Sequence, residues 1–236
     1  MHGLILAGGE GTRLAADGIE APKPLAEVAG EAQVTRLTRT LHRLGAESLT
    51  VMVREPFVPE VRSALRDVAA TGVRVVPCAT PSSLHTLVAG LDQIAPGAVF
   101  CTMVDTVMPD PDWGRLWRST AQALEDGASL VLAVTAYVDD ESPLWVRRDA
   151  AGRALAVGRE PVDPPCVSGG VYGLSAVARQ WAAETLASGA ERMRAFLASA
   201  VERSPRVATV DVARIIDLDR GRDLEQARDW FNTLSH

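Results

Sequence analysis

The chain of 236 residues is 47% hydrophobic and carries 24 Lys and Arg against 30 Asp and Glu, a formal net charge of -6. That length can bury a substantial core as one domain spanning 1–236, and the acid excess argues against a nucleic-acid-coating surface, which needs clustered cations to displace counterions. No apolar run reaches the roughly 20 residues of a membrane-spanning helix, and the first strand candidate, Leu4 to Ala7, begins too early for a signal peptide, so the expectation is a cytoplasmic protein with small-molecule partners, without nucleic acid or membrane.

Short β-branched runs alternate with longer amphipathic stretches, which predicts an α/β fold with helices packed over a mostly parallel sheet. Gly3 to Ala7 reads as a buried strand, Gln33 to Leu44 as a helix closed by Gly45, Leu49 to Val53 as a strand and Pro59 to Ala70 as a helical stretch. Val73 to Val76 follows as a strand and Ser83 to Ile94 as a helix ended by Pro96 and Gly97. Ala98 to Val104 is then a strand that delivers Asp105 at its carboxyl end, where α/β active sites form. Asp112 to Glu125 is predicted helical, Ser129 to Tyr137 a strand, and Leu144 to Val157 a hairpin turning at Ala151-Gly152, with Pro161 to Pro165 breaking regular structure. Val171 to Leu174 is a short strand, Ala176 to Ala187 and Met193 to Glu202 are helices, Val207 to Val210 and Arg214 to Leu218 are strand candidates, and Leu224 to Leu234 closes with a helix. Cys78, Cys101 and Cys166 share no zinc or disulfide spacing and read as small buried apolar residues, while the dispersed tryptophans read as packing residues.

The strongest chemical signal is Leu6-Ala7-Gly8-Gly9-Glu10-Gly11-Thr12-Arg13-Leu14, followed by Pro22-Lys23-Pro24-Leu25. Glycines let backbone N–H groups approach phosphate oxygens; Arg13 adds a planar fork of donors and Lys23 a compact charge. A dinucleotide fingerprint starting at Gly9 would need Gly or Ala where Leu14 stands, and a P-loop would need Gly-Lys-Ser/Thr, so neither fits. A bare strand-to-loop turn remains the competing reading for the glycines alone.

Taken with Arg13 and the Pro-Lys-Pro segment, the stretch resembles the signature of the sugar-1-phosphate nucleotidyltransferase family. The resemblance continues through Leu25 to Gly30, Gly45 to Val51, Asp105 and the C-terminal aspartates. It implies a three-layer α/β/α fold, Rossmann-like and GT-A-like, with a mixed, mostly parallel central sheet. The implied reaction is transfer of a nucleoside monophosphate from a nucleoside triphosphate to a small phosphorylated acceptor, foremost a sugar 1-phosphate, with Mg²⁺ and release of pyrophosphate. Leu6, Ala7, Gly8, Gly9, Gly11, Thr12 and Arg13 are then the nucleotide-binding residues, with Arg13 and Lys23 catalytic through charge stabilisation. Asp105 and Asp217 are the implied Mg²⁺ ligands; Val104 stands where the family usually has glycine, Asp219 is a weaker candidate, and Asp223 reads as a helix N-terminal residue.

Pro81 to Leu87 occupies the place where family members contact base and ribose, which implicates Ser82 and Ser83; either serine could equally be a helix N-cap. The Ser-Leu-x-Thr-Leu pattern here is closer to small cytidylyltransferases for phosphocholine-like acceptors. Gly169 and Gly170 resemble the segment that brings backbone close to the acceptor. Where many sugar enzymes carry Glu-Lys-Pro, this chain has Arg159-Glu160-Pro161, so Arg159 is the substitute acceptor ligand, shifted by one position. Three alternatives stay open: a cytidylyltransferase for a phosphorylated amino alcohol, a catalytically silent nucleotide-sensing subunit, and a glycosyltransferase, although Asp105-Thr106-Val107 is not the Asp-x-Asp motif the last requires.

Overall fold

The computed structural model describes residues 1–9, 11–68 and 72–234. Its strands are β1 (His2–Ala7), β2 (Glu27–Val28), β3 (Glu31–Ala32), β4 (Leu49–Arg54), β5 (Val73–Cys78), β6 (Val99–Met103), β7 (Thr106–Val107), β8 (Leu130–Thr135), β9 (Trp145–Arg148), β10 (Ala154–Gly158), β11 (Val167–Leu174), β12 (Val207–Asp211) and β13 (Ile216–Asp217). The helices are α1 (Thr12–Ala16), α2 (Gln33–Arg43), α3 (Val58–Ala64), α4 (Ser83–Leu91), α5 (Asp110–Glu125), α6 (Ala176–Ala187), α7 (Met193–Arg203) and α8 (Gly221–Leu234).

Nine of the described strands form one mixed sheet. Its order β6-β1-β4-β5 is parallel throughout, with Leu4 opposite Thr50 on one side and Cys101 on the other. Beyond β6 runs β11, antiparallel; from it the sheet divides into the parallel pair β8-β12 and the hairpin β9-β10. Every residue of β1 is buried, as a strand covered on both faces requires. Alternation sends Leu4 and Leu6 into the core under α4, α6 and α7, and Ile5 and Ala7 into the core under α2, α3 and α5. The outcome is helices over both faces of a mixed sheet, the three-layer α/β/α arrangement that the family resemblance implies. No helix among the described residues is long and apolar enough to cross a membrane.

A third apolar cluster fastens the C-terminal helix. Leu224 and Ala227 of α8 meet Ala26, Val28, Val107, Ile216 and Leu218. This anchors the tail against the segment that follows the glycine-rich loop and brings residues 215–223 to the carboxyl end of β6.

The departures from expectation have local causes. The helix read as Pro59 to Ala70 ends at Ala64, where the backbone tightens so that Val68 N donates to Leu65 O; residues 69 and 70 lie outside the described residues, as does Glu10. The strand read as Val171 to Leu174 begins at Val167, but its register shifts between Ser168 and Tyr172, where Gly170 takes φ 73°. This is a bulge, which hides a strand from a period-two reading. Of Arg214 to Leu218 only Ile216–Asp217 pairs, with Thr106–Val107. The pieces α1, β2, β3 and β7 are too short to show any periodicity. The three cysteines are buried and unbridged.

Candidate active site

Parallel strands β1, β4, β5 and β6 all end on the same edge of the sheet, and the loops that leave them form a continuous channel there. At one end is a cleft of about 460 Å³, between Leu6, Gly8 and Gly9 after β1, Arg54 after β4, and Thr80 to Ser83 after β5. A Cβ on Gly8 would lie 3.0 Å from Thr86 Oγ1 and 3.1 Å from Cys78 Sγ, so a side chain here would have to push α4 and the end of β5 aside by a few tenths of an ångström. Ser82 caps α4, its Oγ accepting from His85 N at 3.4 Å, and also donates to Glu191 O in the turn before α7. Thr80 and Thr86 hydroxyls are 2.5 Å apart.

The middle section, about 170 Å³, is lined by Gly9, Gly11, Thr12, Arg13, Lys23, Asp105 and Asp219. Gly11 has φ 67°, a conformation glycine adopts without penalty, and its carbonyl accepts from Ala15 N at the start of α1. Asp105 sits immediately beyond β6. The two-residue ladder that pairs Asp217 with Thr106, together with Leu218 N donating to Asp105 O at 3.0 Å, carries Asp217 alongside it. Asp223 Oδ2 accepts from Asp219 N at 3.0 Å and Arg220 N at 2.7 Å, which turns the chain so that Asp219 joins the group. Carboxylate oxygens of Asp105, Asp217 and Asp219 all lie within 4.8 Å of one another.

Lys23 Nζ enters this cluster, donating to Asp105 Oδ2 at 2.9 Å and to Asp219 Oδ1. Arg13 Nη1 donates to Asp219 Oδ2 at 2.5 Å. Burial opposes the charge on Lys23, but Asp105, Asp217 and Asp219 outweigh it and raise the ammonium above its ordinary value. Asp217 keeps an exposed edge towards the channel; crowding by protein on its other sides, followed by the Asp105 charge, pushes its carboxyl well above the usual range, and Lys23 pulls the other way. Asp219 is lowered despite its partial burial because Lys23 and Arg13 both favour its carboxylate.

The far end is a smaller hollow of about 70 Å³, which shares Arg13 and Asp219 with the middle section. Gly169 and Gly170 form its floor: a Cβ on Gly169 would meet Ile215 Cδ1 at 2.0 Å, and one on Gly170 would meet Thr106 Oγ1 at 2.8 Å. Its walls are Tyr137 to Glu141 and Asp217 to Asp223. Arg214 holds them in place. Its guanidinium lies 4.6 Å over the Tyr137 ring and 4.8 Å over the Trp230 ring, and donates to Tyr137 Oη, which also accepts from Gln226 and donates to Asp139.

Most of the residues singled out from sequence thus line one channel: Leu6, Gly8, Gly9, Ser82 and Ser83 in the first cleft, Gly11, Thr12, Arg13, Lys23 and Asp105 in the middle, Gly169, Gly170 and Asp217 at the far end. Two stand apart. Ala7 is buried in the core beneath the loop, and Arg159 is an exposed residue in the bend after β10 that lines none of the three sections. Arg159 belongs instead to a group of cations with Arg192 and Arg194 at the start of α7. Burial and then these two like charges lower the Arg194 pKa, while Asp140, from the wall of the far hollow, opposes them. Tyr137, Arg214, Arg220, Arg222 and Arg194 were missed by sequence reasoning; only the acidic run Asp139-Asp140-Glu141 offered a legible signal.

A glycine loop, a pair of cations and three carboxylates at the carboxyl ends of parallel strands define a nucleotide-binding α/β/α protein of the phosphate-transfer class. Residues 3–203 match the MobA-like NTP transferase domain, and the chain belongs to that family. Its activity class is accordingly nucleotidyl transfer. Among solved structures, the inositol-1-phosphate CTP transferase from T. maritima aligns with TM-score 0.81 and 18% identity, over 100% of this chain and 96% of that one, and therefore shares the fold. No curated protein matches the chain.

Proposed function

We propose that the protein works as one domain in the cytoplasm and transfers a nucleoside monophosphate from a nucleoside triphosphate to a small phosphorylated acceptor, foremost a sugar 1-phosphate, releasing pyrophosphate. The observation that carries this reading is the three-part channel, with the carboxylate cluster at its centre and a separate pocket on either side. Leu6, Gly8, Gly9, Ser82 and Ser83 hold the nucleoside, and Gly11, Thr12, Arg13 and Lys23 the phosphates. Gly169 and Gly170 let the acceptor approach, and the Arg159, Arg192 and Arg194 group attracts its anionic end.

Three closely spaced carboxylates form an all-oxygen, charged donor set, which suits a hard cation such as Mg²⁺. When bound, the cation neutralises triphosphate charge. Asp105, Asp217 and Asp219 would hold it. An acceptor phosphate oxygen attacks the α-phosphorus in line; the new P–O bond forms as the bond to the β-phosphate breaks, and pyrophosphate leaves with the electron pair. A phosphate monoester, with its second pKa near 6, is already largely ionised at neutral pH, so the chain need supply no general base. Arg13 and Lys23 stabilise the charge that moves onto the leaving group, and positioning does the rest.

A second reading has its own observation. Asp139 and Asp140 border the far hollow and form no ion pair among the described residues, so a phosphorylated amino alcohol could seat its ammonium there. Pyrophosphate release, measured over CTP, UTP, GTP, ATP and dTTP against sugar 1-phosphates and phosphorylated amino alcohols, separates the two. Release with one triphosphate and one sugar 1-phosphate supports the first reading; dependence on an amino alcohol phosphate selects the second. Nucleotide binding without release anywhere in the matrix indicates a silent sensing subunit.

A further inference from the structure

Lys23 stands in the space a divalent cation would use. Its backbone is fixed between Pro22 and Pro24 in a tight turn closed by Leu25 N donating to Pro22 O, so only the side chain can move. The side chain is 10% exposed, and its ammonium lies among the three carboxylates, bonded to Asp105 and Asp219 and within the field of Asp217. Its stem passes beneath the phosphate loop: a Cβ on Gly11 would be 3.5 Å from Lys23 Cγ. Rotation about the stem therefore exchanges the carboxylates for whatever the loop holds. An ammonium and a divalent cation about 4 Å apart repel and draw on the same carboxylate oxygens, so the two compete for the cluster.

We propose that Lys23 is an internal counter-ion of the carboxylate cluster, which the divalent cation displaces. It holds Asp105, Asp217 and Asp219 together in the free protein and passes to the triphosphate when nucleotide binds, leaving the carboxylates to the cation. Metal affinity is thereby coupled to nucleotide occupancy, and without nucleotide the protein binds the cation weakly. Arg13, half exposed and bonded to Asp219, is placed to follow the same exchange. The nucleotidyl-transfer reading enters only through the triphosphate as the ligand that receives Lys23; the competition between ammonium and metal is independent of it.

The test uses Mn²⁺ as probe, titrated into the full chain without nucleotide and followed by the electron paramagnetic resonance of free Mn²⁺. Lys23→Met keeps the stem and removes the charge; it should bind Mn²⁺ roughly tenfold or more tightly than the parent. Lys23→Arg, which retains the charge, should remain as weak as the parent. Adding Asp217→Asn to Lys23→Met should abolish the gain, which places the ion at the cluster. Equal or weaker Mn²⁺ binding by Lys23→Met overturns the proposal. Should three unopposed carboxylates keep Lys23→Met and Lys23→Gln from folding alone, folding restored by Mn²⁺ supports the displacement, and failure of Mn²⁺ to restore it overturns the proposal. A silent pyrophosphate matrix, in contrast, would count against the functional reading and leave the Mn²⁺ result standing.

Discussion

The two ends of the channel are built differently. At the end proposed for the nucleotide, the surface is mostly backbone and small side chains with Arg54 at its side: Gly8 passes so close to α4 that a Cβ would press on Thr86 and Cys78, Ser82 caps α4, and the loop springs directly from the central strand β1. At the end proposed for the acceptor, a floor of glycine backbone at Gly169 and Gly170 is walled by charged side chains from Asp139 to Glu141 and from Asp217 to Asp223, and the last segment lies beyond the family match over residues 3–203. The cleft beside β1 is thus tied to the core, where changes are costly, whereas the far hollow adds ion pairs and an arginine stacked on two rings to its glycine floor. The division suggests that acceptor specificity can change through side chains without disturbing the centre where bonds form.

Four substitutions test that division, in order of expected effect. Asp105→Asn acts at the centre and should lower turnover on the order of a thousandfold while leaving the thermal melt of the protein cooperative. Unchanged turnover in the folded variant would remove Asp105 from the metal role. Arg194→Ala, which removes a cation that acts from outside the channel wall, should raise the acceptor KM on the order of tenfold by weakening electrostatic attraction, with the nucleotide KM unchanged. A matching rise in the nucleotide KM would show that the arginine group serves both substrates and would erase the distinction between the ends. Gly8→Ala is its mirror: displacement of Thr86 and Cys78 should raise the nucleotide KM roughly tenfold and spare the acceptor KM. Asp223→Ala removes the side chain that turns Asp219 and Arg220 and should cost about 1 kcal/mol, read as a fall of a few degrees in Tm.

The same unevenness governs how far each end could be read from the sequence. Leu6 to Arg13 and Pro22 to Leu25 are contiguous, and their glycines, prolines and cations have restricted uses wherever they occur, so the loop that lines the channel is visible in one dimension. The fully buried strands and the amphipathic helices over them were visible too, because burial on one face or two leaves a period in the chain. Asp217 is legible only through the resemblance, and nothing local marks Asp219 as its equal, although the structure joins both to Asp105. Arg159 was placed by its nearness to Pro161, yet it stands with Arg192 and Arg194 outside the channel wall.

Local order alone therefore determined the alternating α/β plan, the glycine loop and its cations, and the strand-end Asp105, since each depends on neighbours in sequence. Tertiary structure decided what depends on distant segments meeting. The β7-β13 ladder brings Asp217 beside Asp105, and Arg214 joins Tyr137, in the wall of the far hollow, to Trp230 of α8. Lys23 reaches a carboxylate 196 positions away. Such contacts leave no periodicity behind, because their partners are chosen by the packing of α8 and the sheet edge and not by spacing along the chain.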